Sequence, residues 1–499
     1  MQHDSREQQH ADTQAQIQDV AIIGGGVNGA AIFRELADSG LRTLLVDSGD
    51  FCARTSQASG QLIWGGLLYL KSLELRTVRQ LCAERDRLIL ADPEQVRSMH
   101  FRYMPLRGSL RRPWIVRLAL QAYWLLGGRR RIQPRGEASF QNQHLIAPGR
   151  FHPSLLYEEA GVVESDCRYV SSWIFSRMSP EQRALNHCSL EEARWDTHAK
   201  LWVLRLMDRL TGNETQVRSR VLINAAGIWV DKLNEIAQLR SPFRHVLSKG
   251  MYLNLPCPKG LSETLVFETE VNGESLTLTP WGPVAMWGPT EEIAHSITDG
   301  YTPNQSDLRF LIDQAGNNLR PRPQASDVIS MRCGIRPLAI KRSYRRAHLP
   351  LTISRRHLVA RDRNKPALMI YGGKITSAPK LARDVLSKLA AYDLPKRSVP
   401  THQAPAGPAA PRSFGSLAVP QPDPAWCRDQ EACVTLEDYL RRRSNIAQWI
   451  PRLGLGPDDC HRAELEPIAR IFHGEAGAQA AIDQLGQAAD RQDRLLASL

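Results

Sequence analysis

Asp19-Val20-Ala21-Ile22-Ile23-Gly24-Gly25-Gly26-Val27-Asn28-Gly29-Ala30-Ala31 opens the first patterned stretch of the chain, and Thr43-Leu44-Leu45-Val46-Asp47 closes it. Residues 20–23 are a short apolar run that stops at glycines, as a buried parallel strand does. Residues 29–39 put Ala30, Ala31, Phe33, Leu36 and Ala37 mostly on one side and end at Gly40, which predicts a helix with a stop signal. Residues 43–46 predict a second buried strand. The order is strand, glycine turn, helix, strand within about 30 residues, which is the opening of an α/β domain.

The turn reads Gly24-x-Gly26-x-x-Gly29. Gly24 permits the tight bend, Gly26 lets backbone approach a pyrophosphate, and Gly29 lets the helix lie close to the strand. The helix start adds free N–H groups and the positive end of its dipole. Asp47, 18 residues after Gly29, is placed to accept hydrogen bonds from ribose hydroxyls. An acid here favours FAD or NAD over NADP. The other reading of these glycines is close packing alone.

Further along, residues 221–227 (Val-Leu-Ile-Asn-Ala-Ala-Gly) form another strand running into a small-residue turn. Residues 251–255, 264–267, 275–279 and 284–287 alternate as strands around a Pro-Trp-Gly-Pro turn, which predicts an antiparallel sheet in a second domain. Residues 368–371 are a further strand, followed by Gly372-Gly373 and a helix from about Pro379 to residue 391. Residues 395–424 are proline-rich with few large apolar side chains and predict a linker. Thr435-Leu436-Glu437-Asp438 opens a helical stretch over 435–498. Residues 1–17 are polar and predict a disordered tail.

The chain has 499 residues, too long for one ordinary core. At 42% apolar and 23% charged residues it excludes wholesale disorder, collagen and coiled coil. Nine cysteines without a C-x-x-C pair argue against a disulfide scaffold or zinc ribbon, and no metal site is expected. A reducing, cytoplasmic compartment fits, and the polar N-terminus has no signal-like apolar region. The net charge of +12 comes from 53 Arg and 11 Lys against 52 acids, yet no nucleic-acid module is visible. The densest basic stretch, residues 107–135, encloses the apolar run 114–126 between Arg111-Arg112 and Arg129-Arg130-Arg131. That run is too short to span a bilayer and suits either a segment lying in the interface or a helix packed on its own domain with snorkelling arginines.

Several blocks together resemble the flavin-dependent glycerol-3-phosphate dehydrogenases. They are residues 22–30 (IIGGGVNGA), 54–59 (RTSQAS), 62–70 (LIWGGLLYL), 223–230 (INAAGIWV), 333–338 (CGIRPL), 371–376 (YGGKIT) with Lys380-Leu381-Ala382, and 435–443 (TLEDYLRRR). The resemblance covers about residues 18–480. It implies a doubly wound, Rossmann-like FAD-binding domain (18–75, 150–240 and 330–394), an antiparallel-sheet substrate domain (76–149 and 241–329) and an all-helical C-terminal cap domain (425–499). It also implies hydride transfer from a phosphorylated alcohol to flavin N5, with electrons passed to a quinone. Monotopic contact with the cytoplasmic membrane through residues 107–135 is implied as well. Oligomeric state is not legible.

Carried over residue by residue, the resemblance puts Gly24, Gly26, Asn28, Gly29, Asp47, Thr55, Ser56, Ala226, Gly227, Gly373, Lys374 and Thr376 at the cofactor. Arg336, Arg355, Lys374 and Tyr69 fall at the substrate, where a buried phosphomonoester needs guanidinium or ammonium groups. Lys249 matches a further lysine, placed near the flavin or at the surface, while His100 and His245 read better as satisfied histidines. The chain also departs from the family. Gln61, Trp64 and Leu68 stand where Lys, His and Arg are usual, and Ser377-Ala378-Pro379 replaces a Thr-Tyr-Arg run. These departures leave open a different alcohol or amine substrate, or a flavin-binding protein without activity.

Overall fold

The computed structural model describes residues 2–70, 72–109, 111–270, 275–344, 356–395, 397–399 and 410–499. Two large sheets organise it. The first runs in the spatial order Leu358–Arg361, Ala367–Tyr371, Glu214–Asn224, Ile17–Ile23, Thr43–Val46, Gln182–Leu185. Ile17–Ile23 lies between parallel neighbours, Glu214–Asn224 and Thr43–Val46. Ala367–Tyr371 and Gln182–Leu185 extend the parallel set, and Leu358–Arg361 is an antiparallel edge.

The unbroken apolar character of 20–23 and 43–46 follows from cover on both faces. Val20, Ile22 and Leu45 pack with helices Val27–Ala37, Asp166–Phe175 and Ala378–Leu389. Ala21, Ile23, Leu44 and Val46 pack with the antiparallel strands Cys188–Asp196 and Leu201–Asp208 and with the helix Val230–Ile236.

The second sheet runs Glu292–Ile293, Phe243–Pro256, Val284–Gly288, Ser275–Trp281, Thr264–Glu268, Val96–Met104, Ser154–Val162, Leu62–Ile63, with Ser330–Lys341 also paired to Phe243–Pro256. All four strands expected between 251 and 287 are present. The domain boundaries shift, because a strand belongs to the sheet that satisfies its backbone. Leu62–Ile63, Ser154–Val162 and Ser330–Lys341, expected in the dinucleotide domain, hydrogen-bond within the second sheet instead.

Two further expectations change. Residues 2–15, read as a disordered tail, form the helix Gln2–Ala15. It buries His10 and Thr13 and is held by Arg6, which donates to Asp208 and to the Asn186 carbonyl. Residues 410–424 of the expected linker are ordered: Pro411–Arg412 pairs with Gln421–Pro422, and Phe414 is buried in the C-terminal core. Residues 401–409 lie outside the described residues. The C-terminal domain starts as expected, with the Thr435 hydroxyl accepting the Asp438 amide, and ends in the long helix Arg462–Ala497.

The basic, apolar segment is the helix Pro113–Leu126. Tyr123 and Leu120 point inward, whereas Trp114, Ile115, Leu118 and Leu125 are exposed. No helix among the described residues is long and apolar enough to cross a membrane.

Candidate functional site

The glycine turn closes at the carboxyl ends of the parallel strands, where an open α/β sheet binds ligands. Gly24 has φ +110°, and a Cβ on it would meet the Ala225 carbonyl oxygen at 2.4 Å. A Cβ on Gly29 would sit 1.8 Å from the Gly24 oxygen, so the helix reaches the turn only because residue 29 has none. Gly26 precedes the first helical residue, with the Ser56 hydroxyl 3.1 Å from its missing Cβ. That hydroxyl accepts the Val27 amide at 3.0 Å.

Asp47 accepts the amides of Gly25 (2.6 Å) and Gly49 (2.9 Å). Burial nevertheless pushes its carboxyl up to about 6, against the pull of these two bonds. Asn28 is buried and donates from Nδ2 to the Gly372 carbonyl at 2.8 Å, which brings the turn at 372–374 against the glycine turn. Its Oδ1 is a buried acceptor with no hydrogen-bond partner among the described residues. Thr55 donates to the Ile335 carbonyl at 2.6 Å. The missing Cβ of Gly227, beside Ala226, faces open space, and Thr376 is buried in the turn that starts the Ala378–Leu389 helix.

The second sheet supplies the facing wall. On the ladder between Phe243–Pro256 and Ser330–Lys341, Ser248 pairs with Arg336, Gly250 with Gly334 and Tyr252 with Arg332. The Arg336 guanidinium lies flat on Gly250, where a Cβ would meet Nη2 at 2.2 Å. Its hydrogen bonds go to two backbone carbonyls, Lys249 and Thr290, both at 3.4 Å. No carboxylate pairs with it among the described residues. Lys249, next to Ser248 on the same strand pair, is by contrast taken: its Nζ is 2.7 Å from Asp307, and both side chains are buried. Lys374 Nζ lies over the Tyr69 ring at 4.7 Å. Arg355 lies outside the described residues.

His245, read as a satisfied histidine, touches the turn directly. Its Nε2 accepts the Gly372 amide at 3.3 Å and its ring meets Tyr371 edge-on. Burial pulls its pKa to about 3, so the ring is neutral with Nε2 as acceptor. The block 333–338 with Arg336 and the pattern Ser248-Lys249-Gly250 held the sequence signals for this wall. Asp307, Thr290 and Tyr252 had none.

The departing residues lie in three different environments. Gln61 is buried, with φ +58°, and its amide donates to Asp166 at 3.2 Å. Trp64 packs edge-on against Phe101 at 5.0 Å, in a cluster with Tyr157 and Leu120. Leu68 is 54% exposed.

A family model described as FAD dependent oxidoreductase matches residues 19–378. The chain belongs to that family. Its cofactor is FAD, and the glycine turn, Asp47 and Asn28 Oδ1, an acceptor without a partner among the described residues, form a cradle that fits a dinucleotide. The chain is 28% identical over 384 residues to a glycerol-3-phosphate dehydrogenase of Pseudomonas tolaasii, covering 76% of this chain and 72% of that one. It is 28% identical to the aerobic glycerol-3-phosphate dehydrogenase of Escherichia coli (75% and 74% covered) and 27% identical to the D-erythritol 1-phosphate dehydrogenase of Brucella abortus (74% and 73%). Among solved structures, a glycerol-3-phosphate dehydrogenase from Bacillus halodurans complexed with FAD shares the fold over 98% of this chain and 97% of that one, at TM-score 0.69 and 17% identity. An L-alpha-glycerophosphate oxidase from Mycoplasma pneumoniae with FAD bound shares it over 77% of this chain and 97% of that one, at TM-score 0.59 and 14% identity. The protein is therefore an FAD-dependent oxidoreductase.

Proposed function

We propose that the protein oxidises sn-glycerol 3-phosphate or a closely related phosphorylated alcohol and passes the electrons to a quinone. The observation that carries this reading is Arg336, a half-buried guanidinium held, among the described residues, by long bonds to backbone carbonyls on the wall facing the cofactor cradle. A cation so placed has donors to spare for an anionic group, and its fork geometry matches a phosphate. The curated relatives named above act on phosphorylated alcohols, which supports the same class.

In this reading Gly24, Gly26 and Gly29 admit the pyrophosphate, Asp47 accepts the ribose hydroxyls, and Asn28, Thr55, Ser56, Ala226, Gly227, Gly373 and Thr376 close the cradle. Bound there, FAD supplies the two-electron acceptor for the alcohol. Arg336, with Arg355, fixes the phosphate and so orients the adjacent carbon. Lys374 and Tyr69 flank the reacting end, and His245 holds the Gly372 amide in place without itself taking a proton, since its Nε2 is already occupied. Lys249 contributes no free charge because Asp307 neutralises it.

The helix Pro113–Leu126 serves, in the same reading, as peripheral contact with an anionic membrane. Its exposed Trp114, Ile115, Leu118 and Leu125 lie between Arg111-Arg112 and Arg129-Arg130-Arg131.

Anaerobic flavin bleaching tests the substrate. Glycerol 3-phosphate and erythritol phosphates should reduce the bound flavin, and the unphosphorylated polyols should not. Bleaching by amines or by unphosphorylated alcohols alone would overturn the assignment.

A further inference from the structure

The C-terminal domain lies beyond the segment that the family model matches, yet it reaches the cofactor cradle. Residues 47–58 wrap the glycine turn. Phe51 packs against Gly25, the Cys52 amide donates to the Gly25 carbonyl at 3.1 Å, and Ser56 accepts the Val27 amide. Two residues of this loop, Asp50 and Gln57, are gripped from the C-terminal domain. The Asp50 carboxylate accepts Arg442 Nε at 2.7 Å and both Arg443 Nη groups at 2.8 Å. Gln57 accepts Arg442 at its Oε1 (3.1 Å) and Arg441 at its carbonyl (3.2 Å).

The knot is buried and nearly saturated. Asp50, Arg442 and Arg443 are at most 3% exposed. Arg442 also donates to Asp438, whose other oxygen is 3.0 Å from His187 Nε2, and Asn186 donates to Asp50 at 3.0 Å. Asp50, His187 and Asp438 cluster tightly enough to hold a cation, and the two guanidiniums already fill that role. Burying so many charges returns little net stability, because desolvation offsets their attraction. A well-attested use of such a network is to fix one geometry, and the geometry fixed here is that of the loop around the pyrophosphate turn.

We propose that the C-terminal domain is a clasp on the cofactor: Arg441, Arg442 and Arg443 are positioning residues that hold the 47–58 loop closed over the adenosine diphosphate half of FAD. The domain then governs how long FAD stays bound, independently of which alcohol is oxidised. Among the described residues the three arginines make no hydrogen bond to the cradle glycines or to Arg336, so their effect travels through Asp50 and Gln57.

The test uses the full-length protein. FAD release is followed by the fluorescence that appears on dilution, and ADP-ribose binding to the apoprotein is measured by calorimetry. Arg442→Met should speed FAD release at least tenfold and weaken ADP-ribose by a similar factor, with Arg442→Lys recovering part of both. Ile482→Ala, in the C-terminal core and away from the knot, supplies a variant of comparable thermal loss that should keep wild-type release. Gln57→Ala cuts one grip while leaving Asp50 paired, and should speed release several-fold even if Arg442→Met does not fold. Wild-type release in Gln57→Ala, or equal release in Ile482→Ala and Arg442→Met, would overturn the clasp.

Discussion

Arg332 and Arg336 stand four residues apart on one strand, on the same face, and meet opposite fates. Arg332 is 2% exposed and its two Nη groups are taken: Asp166 at 2.6 Å, Gln448 at 3.2 Å and the Ser59 carbonyl at 3.2 Å, with the Trp281 ring at 4.9 Å. Arg336 has two long contacts to carbonyls and lies on a glycine. The first region spends its charge on joining two sheets and the C-terminal domain. The second keeps its charge available. A basic residue is a candidate ligand-binder when its surroundings desolvate it without neutralising it.

The comparison predicts a split between stability and activity. Arg332→Ala leaves Asp166 buried without its cation, a loss of about 3–5 kcal/mol that chemical denaturation would register. An unchanged unfolding midpoint would erase the distinction from that side. Arg336→Ala should leave stability nearly untouched and weaken the best phosphorylated substrate about 10- to 150-fold, the equivalent of roughly 1.5–3 kcal/mol for a charge-assisted bond. Steady-state kinetics on FAD-saturated enzyme decide it, and unaltered kcat/KM removes Arg336 from the substrate site.

Asp47 sharpens the contrast by pH. Burial raises its carboxyl to about 6, and only the ionised form is a pure acceptor for ribose hydroxyls. FAD affinity of the apoprotein should therefore be full above pH 7 and fall, by up to about tenfold per unit, as pH drops below 6. A Kd that stays flat from pH 5 to 8 contradicts this role. The smallest effect is expected at Leu68→Arg. The side chain is more than half exposed and packs in no core cluster among the described residues, so an added cation there should change turnover of glycerol 3-phosphate less than about twofold. A large gain would mean that Leu68 lies nearer the substrate than its exposure indicates.

The sequence was most legible where chemistry and fold share one constraint. Gly24, Gly26, Gly29 and Asp47 are fixed by spacing within a single strand-turn-helix-strand unit, and the structure assembles them as read. The antiparallel strands were equally plain from alternation. Gln61, Trp64 and Leu68 were harder to read because they lie in an irregular segment, where Gln61 and Gly66 have positive φ and side-chain direction does not follow spacing. Comparing residue types there showed what had changed but not which way it pointed. The Gln2–Ala15 helix gave no apolar stripe to read; Arg6 anchors it by contacts with Asp208 and Asn186, some 200 residues away. The run Arg441-Arg442-Arg443 read as the opening of a helix, since nothing local reveals that its counter-ion is Asp50.

That last distance sets an order of events during synthesis. Asp50 and Arg443 are separated by 393 residues, and Asn28 waits for Gly372 across 344. At roughly 5–20 residues per second, the ribosome adds the second partner of the Asp50 pair some 20–80 s after the first. A nascent chain that already displays the complete glycine turn still lacks the strand beside it, the turn opposite it and the arginines behind it. Firm capture of the cofactor thus belongs to the finished chain, and translation that stops short of residue 443 yields a protein with the recognisable dinucleotide motif and an open-sided pocket.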